Sequence, residues 1–139
     1  MVVTLPKEEY RKLLAHAQSC LPEEGCGLIA GKLTEHEKQI EKVYLLPNAD
    51  HSPTHFTIAP QDQLNAILDM RKNGLAPLGN WHSHPETPSR PSEEDKRLAY
   101  DSSASYLILS LAKKEPVLRS FSITAESVEI EELVIKEEA

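Results

Sequence analysis

Apolar residues recur at three- and four-residue intervals through Tyr10, Leu13, Leu14 and Ala17, behind Pro6 and two glutamates. That spacing predicts a helix over residues 6–20. The short apolar run from Gly27 to Ala30, closed by Gly31, predicts a buried strand with Glu24 at its entrance. Residues 39–46 predict its pairing partner after a polar turn at 32–38, and a third short strand is expected near Phe56–Ile58, after the loop 47–55. Pro60 opens a second helix with Leu64, Ile67 and Leu68 on one face, stopped at Asn73-Gly74 as a C-terminal cap requires.

The next segment, Leu78 to His84, alternates. Leu78, Asn80, His82 and His84 are expected on one side of a strand, and Gly79, Trp81 and Ser83 on the other. Pro85, Pro88 and Pro91 make the following loop extended and stiff, and Ser92 starts a helix through Leu98 and Ala99. Residues 105–111 form a continuous apolar run and 117–123 alternate, so both read as strands; 127–135 reads as one more, before an acidic tail from about residue 136. Helices interleaved with strands in this order predict a mixed α/β fold, a single domain over 1–139 with a sheet flanked by helices.

The chain's 139 residues suffice to bury one core without staples. A formal charge of −7 argues against nucleic acid as a partner, which needs a basic patch or stripe. No apolar run approaches a membrane span, and the first ten residues lack the charged and apolar regions of a signal peptide, so a soluble, cytoplasmic protein without a membrane partner is expected. Cys20 and Cys26 lack zinc-type spacing; a reducing setting and the apolar surroundings of Cys26 make both packing residues.

Chemistry concentrates around His82 and His84, whose side chains two apart on a strand point the same way. Asp95, eleven residues after the second histidine, can add a carboxylate from the first turn of the next helix. Three such ligands would leave zinc a fourth position for water, the arrangement of a catalytic site. A histidine pair alone is also consistent with a half-buried polar face, and Ser92 with Asp95 resembles a capping box, so the combination carries the reading. Hydrolysis further needs a carboxylate to take a proton from water and deliver it to the leaving amine. Spacing alone leaves Glu23, Glu24, Glu86, Glu93 and Glu94 open. His51 and His55 lie in a loop, His16 on a helix face and His36 in a turn, with no spacing that demands a ligand role, and Trp81 is expected to pack in the core.

Together, the segment from Glu24 through Gly27 and the segment from His82 to Asp95 resemble the JAMM motif of MPN+ domain zinc metalloproteases, in their compact prokaryotic form. The match is a Glu-x-x-Gly at a strand start, His-x-His-Pro, and an Asp preceded by Ser three positions earlier. The resemblance spans roughly residues 1–125. It implies an MPN-type layered architecture like that of cytidine deaminases, one catalytic Zn2+ held by His82, His84 and Asp95, Glu24 as general acid/base, and Ser92 as a donor to the oxyanion. It also implies cleavage of the amide bond after the C-terminal glycine of a ubiquitin-like protein; the chain has no room between Asp95 and the 105–111 strand for the insertion that reads ubiquitin linkage, and the resemblance to compact bacterial members implies a sulfur carrier as substrate. The alternatives are a non-catalytic MPN-type binding scaffold, and a zinc deaminase, whose His-x-Glu and Pro-Cys-x-x-Cys pattern is absent. The 47–55 loop is long enough to occlude such a site.

Overall fold

Residues 1–137 are described by a computed structural model. In chain order the elements are β1 (Val2–Pro6), α1 (Lys7–Cys20), β2 (Cys26–Leu33), β3 (Glu37–Leu46), α2 (Pro60–Lys72), β4 (Ala76–His84), α3 (Glu93–Arg97), β5 (Ser105–Ser110), β6 (Val117–Ile123), β7 (Val128–Glu131) and β8 (Leu133–Lys136). Among the described residues the strands form one mixed sheet, ordered β7-β6-β5-β4-β2-β3-β1-β8. No helix is long and apolar enough to cross a membrane.

The two faces of the sheet are covered by different helices. α1 lays Leu13 and Ala17 on a face built from Ile29, Val43, Trp81, Leu107 and Leu109. Burial of each large aliphatic side chain there is worth about 1.5–3 kcal/mol. α2 covers the other face through Ala66 and Met70, against Ala30 and Tyr44. The expected face of α2 is corrected by this packing: Leu64 and Leu68 are each half exposed, and only Ile67 of the three packs inward.

Further expectations are corrected. Val2–Pro6 is a strand, so the first helix begins at Lys7; its pairing partners, β3 and β8, are remote in sequence and leave no local signal. Phe56–Ile58 is irregular and pairs with no strand; Phe56 instead stacks on His82. Residues 127–135 hold two strands joined at Glu132: β7 extends one edge of the sheet through β6, while β8 pairs in parallel with β1 at the other. α3 is also shorter than expected, with Leu98 as its C-cap. The acidic tail's final residues, 138 and 139, lie outside the described residues.

A bulge decides which side chains of β4 face the site. The β2–β4 register runs Ile29↔Gly79 and then Ala30↔Pro77, so Leu78 is an inserted residue. It therefore joins Trp81 in the α1 core instead of sharing the side of His82 and His84 as simple alternation requires. Gly79, with φ 152°, makes the turn possible and lies against the Ser105 carbonyl, where a side chain would collide.

Candidate metal centre

β4 ends at His84, and both of its last histidines are buried on the face opposite Trp81. The stiff loop from Pro85 to Pro91 returns the chain so that the first turn of α3 hangs over them. Ser89 Oγ fastens that loop by donating to the Ile108 carbonyl of β5 at 2.7 Å. Three donor atoms then converge: His82 Nε2 and His84 Nε2 lie 3.1 Å apart, and Asp95 Oδ2 lies 3.2 Å from the first and 3.1 Å from the second. Ligands placed 2.0–2.1 Å from a tetrahedral zinc are about 3.3 Å from one another, so the triangle is the size that ion demands. His84 Nδ1–H donates to the Pro88 carbonyl at 2.9 Å, so the protonated ring donates from Nε2 to Asp95, whereas the neutral ring would present the Nε2 lone pair to a metal. His82 is oriented by a stack instead, with Phe56 parallel to its ring at 4.7 Å and 26°.

The same cluster makes the local electrostatics. Burial raises the Asp95 carboxyl, but hydrogen bonds from His82 and His84 outweigh it and hold the group well below its usual range. Burial lowers His82, while His84 is raised because the Asp95 carboxylate and the Pro88 carbonyl overcome its desolvation.

Glu24 stands at the start of β2 beside the cluster, buried, with Oε1 unpartnered among the described residues. Burial pushes its carboxyl up from 4.5 to about 8, Asp95 and Glu94 adding to the shift and His84 opposing it. Its backbone is pinned on two sides. Gly25 and Ser83 exchange two bonds, Gly25 N–H to Ser83 Oγ at 2.8 Å and Ser83 N–H to the Gly25 carbonyl at 2.9 Å. Asn48 Nδ2 donates to the Glu24 carbonyl at 3.2 Å, while Asn48 Oδ1 accepts from Asp50 and Thr57. Gly27 closes the Glu-x-x-Gly segment for a packing reason, because a side chain there would strike the Tyr44 carbonyl and the Trp81 indole, which are themselves hydrogen-bonded at 3.0 Å.

Ser92 forms the capping box with Asp95: its Oγ accepts from Asp95 N–H at 3.0 Å and its N–H donates to Asp95 Oδ2 at 2.9 Å. An accepting hydroxyl keeps its own hydrogen to donate. The remaining carboxylates raised by spacing, Glu86, Glu93 and Glu94, stay outside the donor triangle, and Glu23 accepts from His51. His55 pairs with Asp50 at 3.0 Å, so neither loop histidine joins the cluster. His16 meets the Trp81 ring edge-on and His36 is exposed. Cys26 is a buried free thiol, raised to about 12 chiefly by burial, and Cys20 is half-buried at the end of α1. Ser83, Asn48 and Phe56 are supports that sequence reasoning missed. A serine between the two clustered histidines was the one signal that pointed at any of them.

Residues 6–124 match the family model described as prokaryotic homologs of the JAB domain. The chain belongs to this family. Among relatives of this JAB-type chain, the CysO-cysteine peptidases of Mycobacterium bovis and Mycobacterium tuberculosis are 29% identical over 140 residues, covering 99% of this chain and 93% of theirs. A probable TtuB-protein conjugate cleaving protease of Thermus thermophilus is 34% identical over 96 residues, covering 68% of this chain and 62% of that one. A solution structure of a Desulfitobacterium hafniense protein is similar at TM-score 0.91 and 51% identity, covering 99% of this chain and 94% of that one. A JAB1/MPN domain protein of Archaeoglobus fulgidus shares the fold at TM-score 0.59 and 22% identity, covering 96% and 99%.

Proposed function

We propose that this JAB-family chain is a zinc-dependent peptidase or isopeptidase that hydrolyses the amide bond after the C-terminal glycine of a ubiquitin-like protein, a sulfur carrier being the favoured substrate. The observation that carries the reading is the zinc-sized triangle of His82, His84 and Asp95 with the buried, unpartnered Glu24 beside it. The names of the relatives, CysO-cysteine peptidase and probable TtuB-protein conjugate cleaving protease, support cleavage of a protein conjugate as the substrate class.

His82, His84 and Asp95 would hold the ion, and zinc so held supplies a Lewis acid and brings a coordinated water's pKa toward neutrality. Glu24, a buried carboxyl beside the donor triangle, stands where it can accept a proton from the attacking water and return it to the leaving amine. Ser92 Oγ–H, unspent by its capping bond, is the donor available to the oxygen on which negative charge develops. Burial of both histidines keeps bulk water from competing with these contacts.

The test is zinc content and tail hydrolysis in wild type, Glu24→Gln and Asp95→Ala. About one zinc per chain is expected in wild type and Glu24→Gln and none in Asp95→Ala, with hydrolysis of a glycine-terminated carrier conjugate in wild type alone. A Glu24→Gln protein that still cleaves overturns the assignment.

A further inference from the structure

Between the 50s loop and β5 lies a cavity of about 40 Å³ that opens directly beside His82 and Asp95. Its apolar wall is Phe56, Leu98, Tyr106, Ile108 and Ile123, with the Tyr106 hydroxyl occupied by the Asp101 carbonyl at 3.0 Å, and His55 and Glu94 also line it. Asn80 also lines it, two residues before His82 on the same side of β4, and its Oδ1 is buried without a partner among the described residues. A buried acceptor left unmade is costly, and a carboxamide carries both an acceptor and donors, the complement of a peptide group.

The cavity and Glu24 lie on opposite flanks of the histidines. β2, which carries Glu24 at its entrance, pairs with one edge of β4; β5, which supplies Tyr106 and Ile108, pairs with the other in the register Asn80↔Tyr106 and His82↔Ile108. Glu24 serves the leaving amine, so the acyl portion of the substrate extends across the second flank, over the cavity. Asn80 is two residues from His82, about 6.6 Å along the strand, a distance an extended substrate also covers in two residues.

We propose that this cavity is a specificity pocket for an apolar side chain on the acyl side of the substrate, two residues before the scissile glycine, with Asn80 bonding that residue's backbone. The inference rests on the peptidase reading and narrows its substrate class to tails of the form aliphatic-Gly-Gly. The size admits roughly three water-sized groups, room for an aliphatic chain and not for a ring. Acidic and glycine residues at that place leave the apolar wall unfilled or force a charge against it.

The test measures binding apart from turnover. Peptides ending Leu-Gly-Gly, Asp-Gly-Gly and Gly-Gly-Gly, amide-linked to a small amine, are titrated calorimetrically into zinc-loaded Glu24→Gln. The leucine tail is expected to bind at least about 10-fold more tightly than either of the others. Leu98→Asp, at the half-exposed rim, and Asn80→Leu, which fills the floor, should each erase that preference without changing zinc content. Equal affinities for the three tails, or a preference untouched by both variants, overturn the pocket. Wild-type hydrolysis of the Gly-Gly-Gly conjugate reports separately on the peptidase reading: cleavage without a leucine preference removes the pocket and keeps the enzyme, whereas a leucine preference sensitive to both variants without cleavage keeps the pocket and removes the enzyme.

Discussion

Asp95 accepts the backbone N–H of Ser92 with Oδ2, the same oxygen that faces His82 and His84. The helix cap therefore does not compete with the donor triangle. It holds the carboxylate in the rotamer that completes it, so the cluster is organised before any ion arrives.

Ser92→Ala separates the capping bond from the proposed oxyanion role. Loss of the Oγ acceptor costs about 0.5–2 kcal/mol of stability, seen as a lower melting temperature. Loss of the oxyanion donor lowers kcat by about 10²- to 10³-fold with zinc retained, and Ser92→Thr restores much of both. A kcat unchanged by Ser92→Ala would leave Ser92 a cap and nothing more.

The Glu24 carboxyl gives a signed dependence on pH. Its folded pKa, about 8, lies above its ordinary 4.5, so its contribution to stability is complete below about 4.5 and is lost as pH rises through about 8. Denaturant titrations of metal-stripped protein between about pH 5 and pH 9 should therefore show wild type losing more stability than Glu24→Gln. Parallel losses in the two proteins would count against a buried, raised carboxyl.

Gly27→Ala tests the contact beneath the Glu24 segment. The new methyl meets the Tyr44 carbonyl and the Trp81 indole, so β2 must shift, at about 1–3 kcal/mol. The indole fluorescence of Trp81, the chain's single tryptophan, should change with the loss, and zinc affinity should fall because Glu24, Gly25 and Ser83 move together.

Phe56→Ala removes the ring stacked on His82. Aromatic stacking contributes about 0.5–1.5 kcal/mol, so zinc affinity measured by competition with a chelator should weaken roughly 2- to 10-fold. Phe56→Tyr keeps the stack and should keep the affinity.

What could be read from the sequence follows the range of each interaction. The convergence of His82, His84 and Asp95 was legible because a two-residue strand period, a proline loop and a capped helix start are all local. The helices α1 and α2 were legible for the same reason, yet the buried face of α2 was not, since Ala66 and Met70 are chosen over the more apolar Leu64 and Leu68 by where Ala30 and Tyr44 lie. Leu78 was placed on the wrong side because a bulge is a property of the β2–β4 pairing and not of either strand alone. Phe56 alternates with its neighbours like a strand residue, but its partner is a histidine 26 positions away. Asn80 was legible as a neighbour of the histidines, whereas the cavity it floors is assembled from five separate segments.

The pairing of β1 with β8 sets Val3 opposite Leu133, and Glu132 is the lone residue between that pairing and the opposite edge of the sheet. Both margins of the sheet thus depend on residues 128–136. During synthesis β1 must wait for a strand about 130 residues further along before its outer edge is covered, a contact of very long sequence separation that predicts slow, late consolidation. The donor triangle, drawn from residues 82–95 and braced by β2 and β5, needs no such closure, so a metal-competent centre can precede the finished sheet.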